Sequence, residues 1–157
     1  MSGTVRSLFA GLVGGFIGQM TLGALFANPI TQAILYHPDL QSRLFIEVTA
    51  QRNLPLSIAG LIVLSAIHGW LYAQFAPAMP GRTWMRKGLF WGVVIWLMYW
   101  LFQEWFIYHT LLAEPLLLNL LELVLLLGGS CVEGLVIAFL LRKQTVPADH
   151  EHRAATS

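Results

Sequence analysis

Four stretches of this chain are each long and apolar enough to cross a lipid bilayer, and no other feature constrains the fold as tightly. They cover about residues 5–27, 56–76, 88–112 and 116–141. A helix needs about 20 apolar residues to cross the hydrocarbon core. Composition agrees, because 57% of the 157 residues are hydrophobic and only 11% are charged. A soluble domain carries about 45–50% apolar and about 25% charged residues. The expected fold is therefore an all-α integral membrane protein, with four transmembrane helices in an antiparallel up-down bundle. Residues 1–143 would form that domain, and residues 144–157 a disordered cytoplasmic tail.

Prolines mark the joints. Pro55, Pro77, Pro80 and Pro115 fall at the proposed helix ends, where a missing backbone N–H is tolerated, and Gly81 strengthens the turn after Pro80. The first helix is open to extension past Asn28-Pro29 as far as Tyr36. A signal-peptide reading of this first stretch is poor, since cleavage after Ala27 would put Leu25 where a small residue is needed. Between the first two stretches, residues 39–52 read as a short helix. Leu40, Leu44, Phe45 and Val48 fall on one side of it, and Asp39 is placed to cap its start. Such a helix serves either as a packed connector or as a lid lying on the outer leaflet.

Basic residues predict orientation. Arg82, Arg86 and Lys87 crowd one short loop, Arg142 and Lys143 follow the last stretch, and Arg6 precedes the first. The turn at Glu114-Pro115 has no basic residue. Both termini are expected on the cytoplasmic side of the cell inner (plasma) membrane. Small residues predict helix contacts, because Gly11/Gly15, Gly14/Gly18 and Gly88/Gly92 each have the four-residue spacing that lets backbones approach closely. These faces serve either the bundle itself or a homo-oligomer. Trp84 and Trp105 suit interfacial anchors. Trp70, Trp91, Trp96 and Trp100 lie deeper, where packing is a better reading than a pocket for a flat quinone or haem.

Three glutamates interrupt these apolar stretches: Glu104 in the third, Glu122 and Glu133 in the fourth. No Lys or Arg lies in the stretches beside them. An ionised carboxylate in hydrocarbon is costly, so each must be protonated, hydrogen-bonded or matched by a partner. Glu122 and Glu133 are eleven residues apart and so share one stripe, with Asn119 and Ser130 flanking it. Glu104, Gln103, Glu122 and Asn119 are expected to gather near the Glu114 end. His68, in the second stretch, is the deep histidine best placed to partner a carboxyl. His109 lies five residues from Glu104, about 140° around an α-helix, and so is placed on another face.

Known site chemistries find little purchase. One cysteine, Cys131, excludes an intrachain disulfide. There is no Glu-x-x-His pair, phosphate loop or nucleophile elbow. His68 and His109 differ in depth, which disfavours bis-histidine haem. The polar tail around residues 149–152 alternates histidine with acids, and is read as solvated rather than metal-binding. No catalytic residue, metal site or cofactor is assigned, and nothing suggests nucleic-acid binding. The preferred function is an accessory, assembly or interaction subunit of a membrane system. The alternative is a dimeric proton- or cation-linked small transporter or channel using the buried glutamates. The partners expected are the bilayer and either a second copy or another membrane subunit.

Overall fold

A computed structural model describes residues 2–143; the tail, with its acidic and histidine residues at 149–152, lies outside the described residues. The described part is helical, and four of its helices are long and apolar enough to span a membrane. These are α1 (Gly3–Phe26), α4 (Leu54–Phe75), α5 (Trp84–Leu111) and α6 (Leu116–Leu141). Two short helices, α2 (Pro29–Leu35) and α3 (Arg43–Ala50), fill the connection between α1 and α4.

Local chemistry sets the breaks. The first helix stops at Phe26 rather than continuing to Tyr36. Pro29 has no N–H to give and would crowd the carbonyl a turn earlier. Asn28 instead caps a new helix, its Oδ1 accepting from the Ile30 N–H at 2.9 Å. Asp39 does not cap α3. It sits in a 3-10 turn (Pro38–Leu40), where its N–H donates to His37 Nδ1 at 3.3 Å, and α3 begins only at Arg43. Asn53 caps α4 by accepting from the Leu56 N–H, with Pro55 in the first turn, and Thr83 caps α5 through the Arg86 N–H. The link from α5 to α6 is so short that Ala113 takes a positive φ of 55°, a strained conformation for a residue with a Cβ.

Helix α5 is α-helical only to Ile95; it is then π-helical over Trp96–Trp100 and again over Gln103–Leu111. In a π turn the hydrogen bond runs to the fifth residue, so residues five apart stack. Gln103 Nε2 donates to Tyr108 Oη at 2.9 Å in that register, and Thr110 Oγ1 donates to the Trp105 carbonyl at 2.7 Å. The α-helical angle that separated His109 from Glu104 therefore does not apply.

The long helices pack side by side in the order α4, α1, α6, α5. Glycines make each contact. On α1, Gly11 and Gly15 face Ser65 and Gly69 of α4, while Gly14 and Gly18 face Ile137 and Glu133 of α6. On α5, Gly88 and Gly92 face Gly134 and Cys131 of α6. The three glycine pairs thus all serve contacts within the chain. Away from the Glu114 turn, Tyr72, Trp91, Ile137 and Leu141 form the apolar core, with Tyr72 and Trp91 edge to face at 6.1 Å. Basic side chains close this end. Arg6 donates to the Leu140 carbonyl at 2.9 Å and Lys87 to the Ala76 carbonyl at 2.6 Å, meeting acceptors that helix C-termini leave open.

Adding a methyl tests this packing. A Cβ at Gly92 would stand 2.6 Å from the Cys131 Cα, whereas one at Gly23 meets nothing within 4 Å. We expect Gly92→Ala to lose about 1–3 kcal/mol of stability, the usual cost of overpacking, measured by thermal unfolding in detergent. Gly23→Ala should be neutral or slightly stabilising, because alanine is the better helix former. Equal effects at both positions would refute the close α5–α6 contact.

Candidate functional site

Apart from Ser7, Thr31 and Ser65, the buried polar side chains among the described residues fall into two groups strung along α6. The first lies near the Glu114 turn. Asn119, fully buried on the first turn of α6, donates from Nδ2 to the Glu104 main-chain carbonyl at 2.6 Å, with Glu104 Oε2 at 3.4 Å. That carbonyl belongs to the π-helical stretch of α5. The carboxyl groups of Glu104 and Glu122 face each other, with one oxygen of each within 4.8 Å of the other. Glu104 is 2% exposed, and Glu122 is half-buried at the edge of an open cavity of about 850 Å³. Gln103 lines the same cavity, together with Gln19, Gln41, Arg52, Trp100 and Tyr108.

Glu114 completes this group, though its sequence position beside Pro115 reads only as a turn. It is 3% exposed, and one oxygen from each of Glu104, Glu114 and Glu122 lies within 4.8 Å of the others. Two features hold it in. The His109 ring engages the Glu114 carbonyl through Nδ1 at 2.7 Å, and the Glu114 N–H donates to the Tyr108 carbonyl at 2.9 Å. Both reach back one long turn of the π-helix. His109 thus supports the carboxylate group, which the α-helical angle had concealed. The wall opposite is built from the α2–α3 connection, where Ser42 Oγ donates to the Leu112 carbonyl at 2.7 Å and Gln41 Nε2 to the Leu35 carbonyl. Ile46, Thr49 and Ala50 of α3 line the cavity, so α3 forms part of its mouth.

The second group lies eleven residues further along α6, about 16 Å at 1.5 Å per residue. Here His68 Nδ1 of α4 and Glu133 Oε1 of α6 are 2.8 Å apart, and Glu133 is 6% exposed. Gly18 of α1 stands beside the Glu133 Cβ, and Ser130 is buried one turn back along α6 with no partner for its hydroxyl among the described residues. Tyr99 of α5 shares with His68 a smaller cavity of about 180 Å³. The six polar residues singled out from the sequence therefore divide four and two: Gln103, Glu104, Asn119 and Glu122 above, His68 and Glu133 below.

These geometries permit two kinds of chemistry: proton exchange at the His68–Glu133 contact and cation binding at the three-carboxylate group. Comparison with protein-family models, with curated proteins and with solved structures finds no significant match for this chain.

Glu114 lies between the last two long helices, and its burial can be read out by pH. Burial pushes its carboxyl up to about 7, the neighbouring Glu122 adds to the shift, and a hydrogen bond from Asn119 opposes it. The folded state then holds a proton that the unfolded chain releases near its ordinary value of 4.5. Stability from this group is complete below that value, declines as pH rises towards about 7, and is flat beyond. Melting temperatures in chelator-treated detergent should show this decline, and Glu114→Gln should remove it. A decline of unchanged slope in the variant would place the carboxyl in water.

Proposed function

We propose that this chain is a multi-pass inner-membrane carrier or channel for a small cation, linked to proton movement. In this reading the four long helices span the bilayer as an up-down bundle with both termini in the cytoplasm. Arg6, Arg82, Arg86, Lys87, Arg142 and Lys143 then mark the cytoplasmic end, as positive residues do. The carboxylate chamber opens to the outside and the His68–Glu133 contact lies deeper.

The contact between His68 Nδ1 and Glu133 Oε1 at 2.8 Å is the observation that carries this reading. At that distance the imidazole and the carboxyl are in direct hydrogen-bond contact, so a proton passing between them has a short path. Histidine suits the task because it is the side chain whose charge ordinarily changes near neutral pH. Acid–histidine chains of this kind serve as proton relays within membranes. Gly18 on α1 stands beside the Glu133 Cβ, Ser130 lies one turn away on α6, and Tyr99 on α5 lines a cavity with His68. About 16 Å along α6 separates the pair from Glu122, so water or a helix movement must bridge the two. Gln19 of α1 and Ser130 supply polar atoms on the way.

The sequence alone favours an accessory or assembly subunit, on unmatched glutamates, glycine faces, abundant tryptophan and a small chain poor in motifs. Glu133 and Glu104 have partners within the chain, which weakens the first of these grounds. The accessory reading keeps one observation in its favour. Helix α4 packs against α1 and scarcely against α5, leaving a groove of about 890 Å³ between α4 and α5. A second copy or another subunit's helix would fit there. The same groove suits a dimeric transporter, so it does not separate the two readings.

Proteoliposomes separate them. With an imposed cation gradient, internal pH followed by a trapped dye should change in vesicles holding the protein and not in empty ones. Glu133→Gln, which keeps the shape and a hydrogen bond to His68, should lower that flux at least tenfold. Its melting temperature should stay within a few degrees of the parent. Folded protein that moves no protons with any of Na⁺, K⁺, Mg²⁺, Ca²⁺ or Mn²⁺, yet copurifies with a stoichiometric membrane partner, would establish the accessory role instead. A reporter fused after Lys143 that is active outside the cell would overturn the orientation.

A further inference from the structure

We propose that Glu104, Glu114, Glu122 and Asn119 form an oxygen-only site for a single divalent cation, of the Mn²⁺ or Ca²⁺ type, at the inner end of the chamber. Geometry allows one ion. The three carboxylate oxygens lie within 4.8 Å of one another. Metal–oxygen bonds of about 2.0–2.6 Å place donors on opposite sides of an ion about 4–5 Å apart. The carboxylates come from three different places in the fold: the π-helical part of α5, the strained turn, and the second turn of α6. Chain folding, not local sequence, therefore brings them together.

Asn119 supplies the independent observation. Its side chain is 0% exposed, and its Oδ1 has no hydrogen-bond partner among the described residues. Its Nδ2 is held on the Glu104 carbonyl at 2.6 Å and lies 3.4 Å from the Glu104 carboxylate, and the amide also hydrogen-bonds with Glu114. The amide is thus anchored on Glu104 through its nitrogen, and its oxygen is left buried and unused. Glu114 Oε2 is likewise buried and unpartnered. Buried acceptors without donors are costly and uncommon. Here two of them adjoin carboxylates whose oxygens lie within 4.8 Å of one another. We infer that a cation bound between the carboxylates supplies the positive charge they lack, and that the Asn119 amide turns its free oxygen to it.

The donor set selects the ion. Carboxylate and amide oxygens suit hard divalent ions, whereas thiolate and imidazole sets suit zinc and copper. His109 is a positioning residue: its Nδ1 is engaged with the Glu114 carbonyl at 2.7 Å and so orients the turn that carries Glu114. Entry is through the open cavity of about 850 Å³, where Arg52 is outnumbered by the carboxylates. Binding stands without the transport reading; identification of the bound ion as cargo rests on it.

Chelator-stripped full-length protein in detergent, titrated with MnCl₂ and followed by electron paramagnetic resonance, tests the site. We expect one Mn²⁺ per chain, competition by Ca²⁺, and a melting temperature that rises with Mn²⁺ and falls again with chelator. Glu114→Gln and Glu122→Gln should each weaken binding at least tenfold, and Glu133→Gln should leave it unchanged. Asn119→Ala should weaken it similarly. If that variant does not fold, Asn119→Asp keeps an oxygen in place and should retain binding. Absence of saturable binding by folded protein overturns the site, as does binding that the Glu114 and Glu122 variants leave intact. Proton flux without Mn²⁺ binding would sink this inference alone. Mn²⁺ binding without flux would leave the site standing and refute the transport reading.

Discussion

Polar atoms taken out of water must find partners inside the protein, and α6 is the element on which this requirement falls. Its mean hydropathy is the highest of the four long helices, yet it carries Asn119, Glu122, Ser130 and Glu133 along one side. Every neighbour is placed by what that side needs. Helix α5 delivers the Glu104 carbonyl and carboxyl to Asn119 and Glu122, and α4 delivers His68 to Glu133. An apolar helix with an unserved stripe of this kind would be unstable in hydrocarbon by several kcal/mol per group. The bundle is therefore organised around a polar seam rather than around an apolar core alone.

Reaching the seam from α4 is a problem of distance, because α1 stands between α4 and α6 in the packing order. Glycine solves it. Gly11 and Gly15 let α4 sit on the α1 backbone at Ser65 and Gly69, and Gly14 and Gly18 let α6 do the same on the other side. With no side chain at Gly15 or Gly18, α1 is thin enough for the imidazole of α4 to meet the carboxylate of α6. Small residues here serve chemistry as well as adhesion. Close backbone contact also adds dispersion energy between the three helices.

The π-helical part of α5 plays the corresponding role at the other end. A wider turn changes which residues share a face, so Gln103 meets Tyr108 while Tyr108 and His109 reach back to the Glu114 turn. Such turns are less favourable than α-helical ones and are often found at functional sites. Beside it, Ala113 takes a positive φ of 55° in the short link that carries the buried Glu114.

Much of this architecture is legible in the chain itself. Apolar runs of over twenty residues announce helices long and apolar enough to span a bilayer, and their bounds in the structure differ from the sequence reading by a few residues. Periodicity places Glu122 and Glu133 on one stripe because eleven residues are close to three α-helical turns. Glycine spacing announces close contacts. What the sequence by itself could not decide is which glycine face meets which helix, since all such faces look alike until side chains on both partners are in place. It could not reveal that α5 leaves α-helical geometry, because that choice depends on contacts with α6 and the turn, not on local propensity. Burial of Glu114 and the unused oxygen of Asn119 were equally hidden. Whether a polar residue beside a proline faces water or the interior depends on which elements cover the turn. Only the tertiary structure brings α3, α5 and α6 together there.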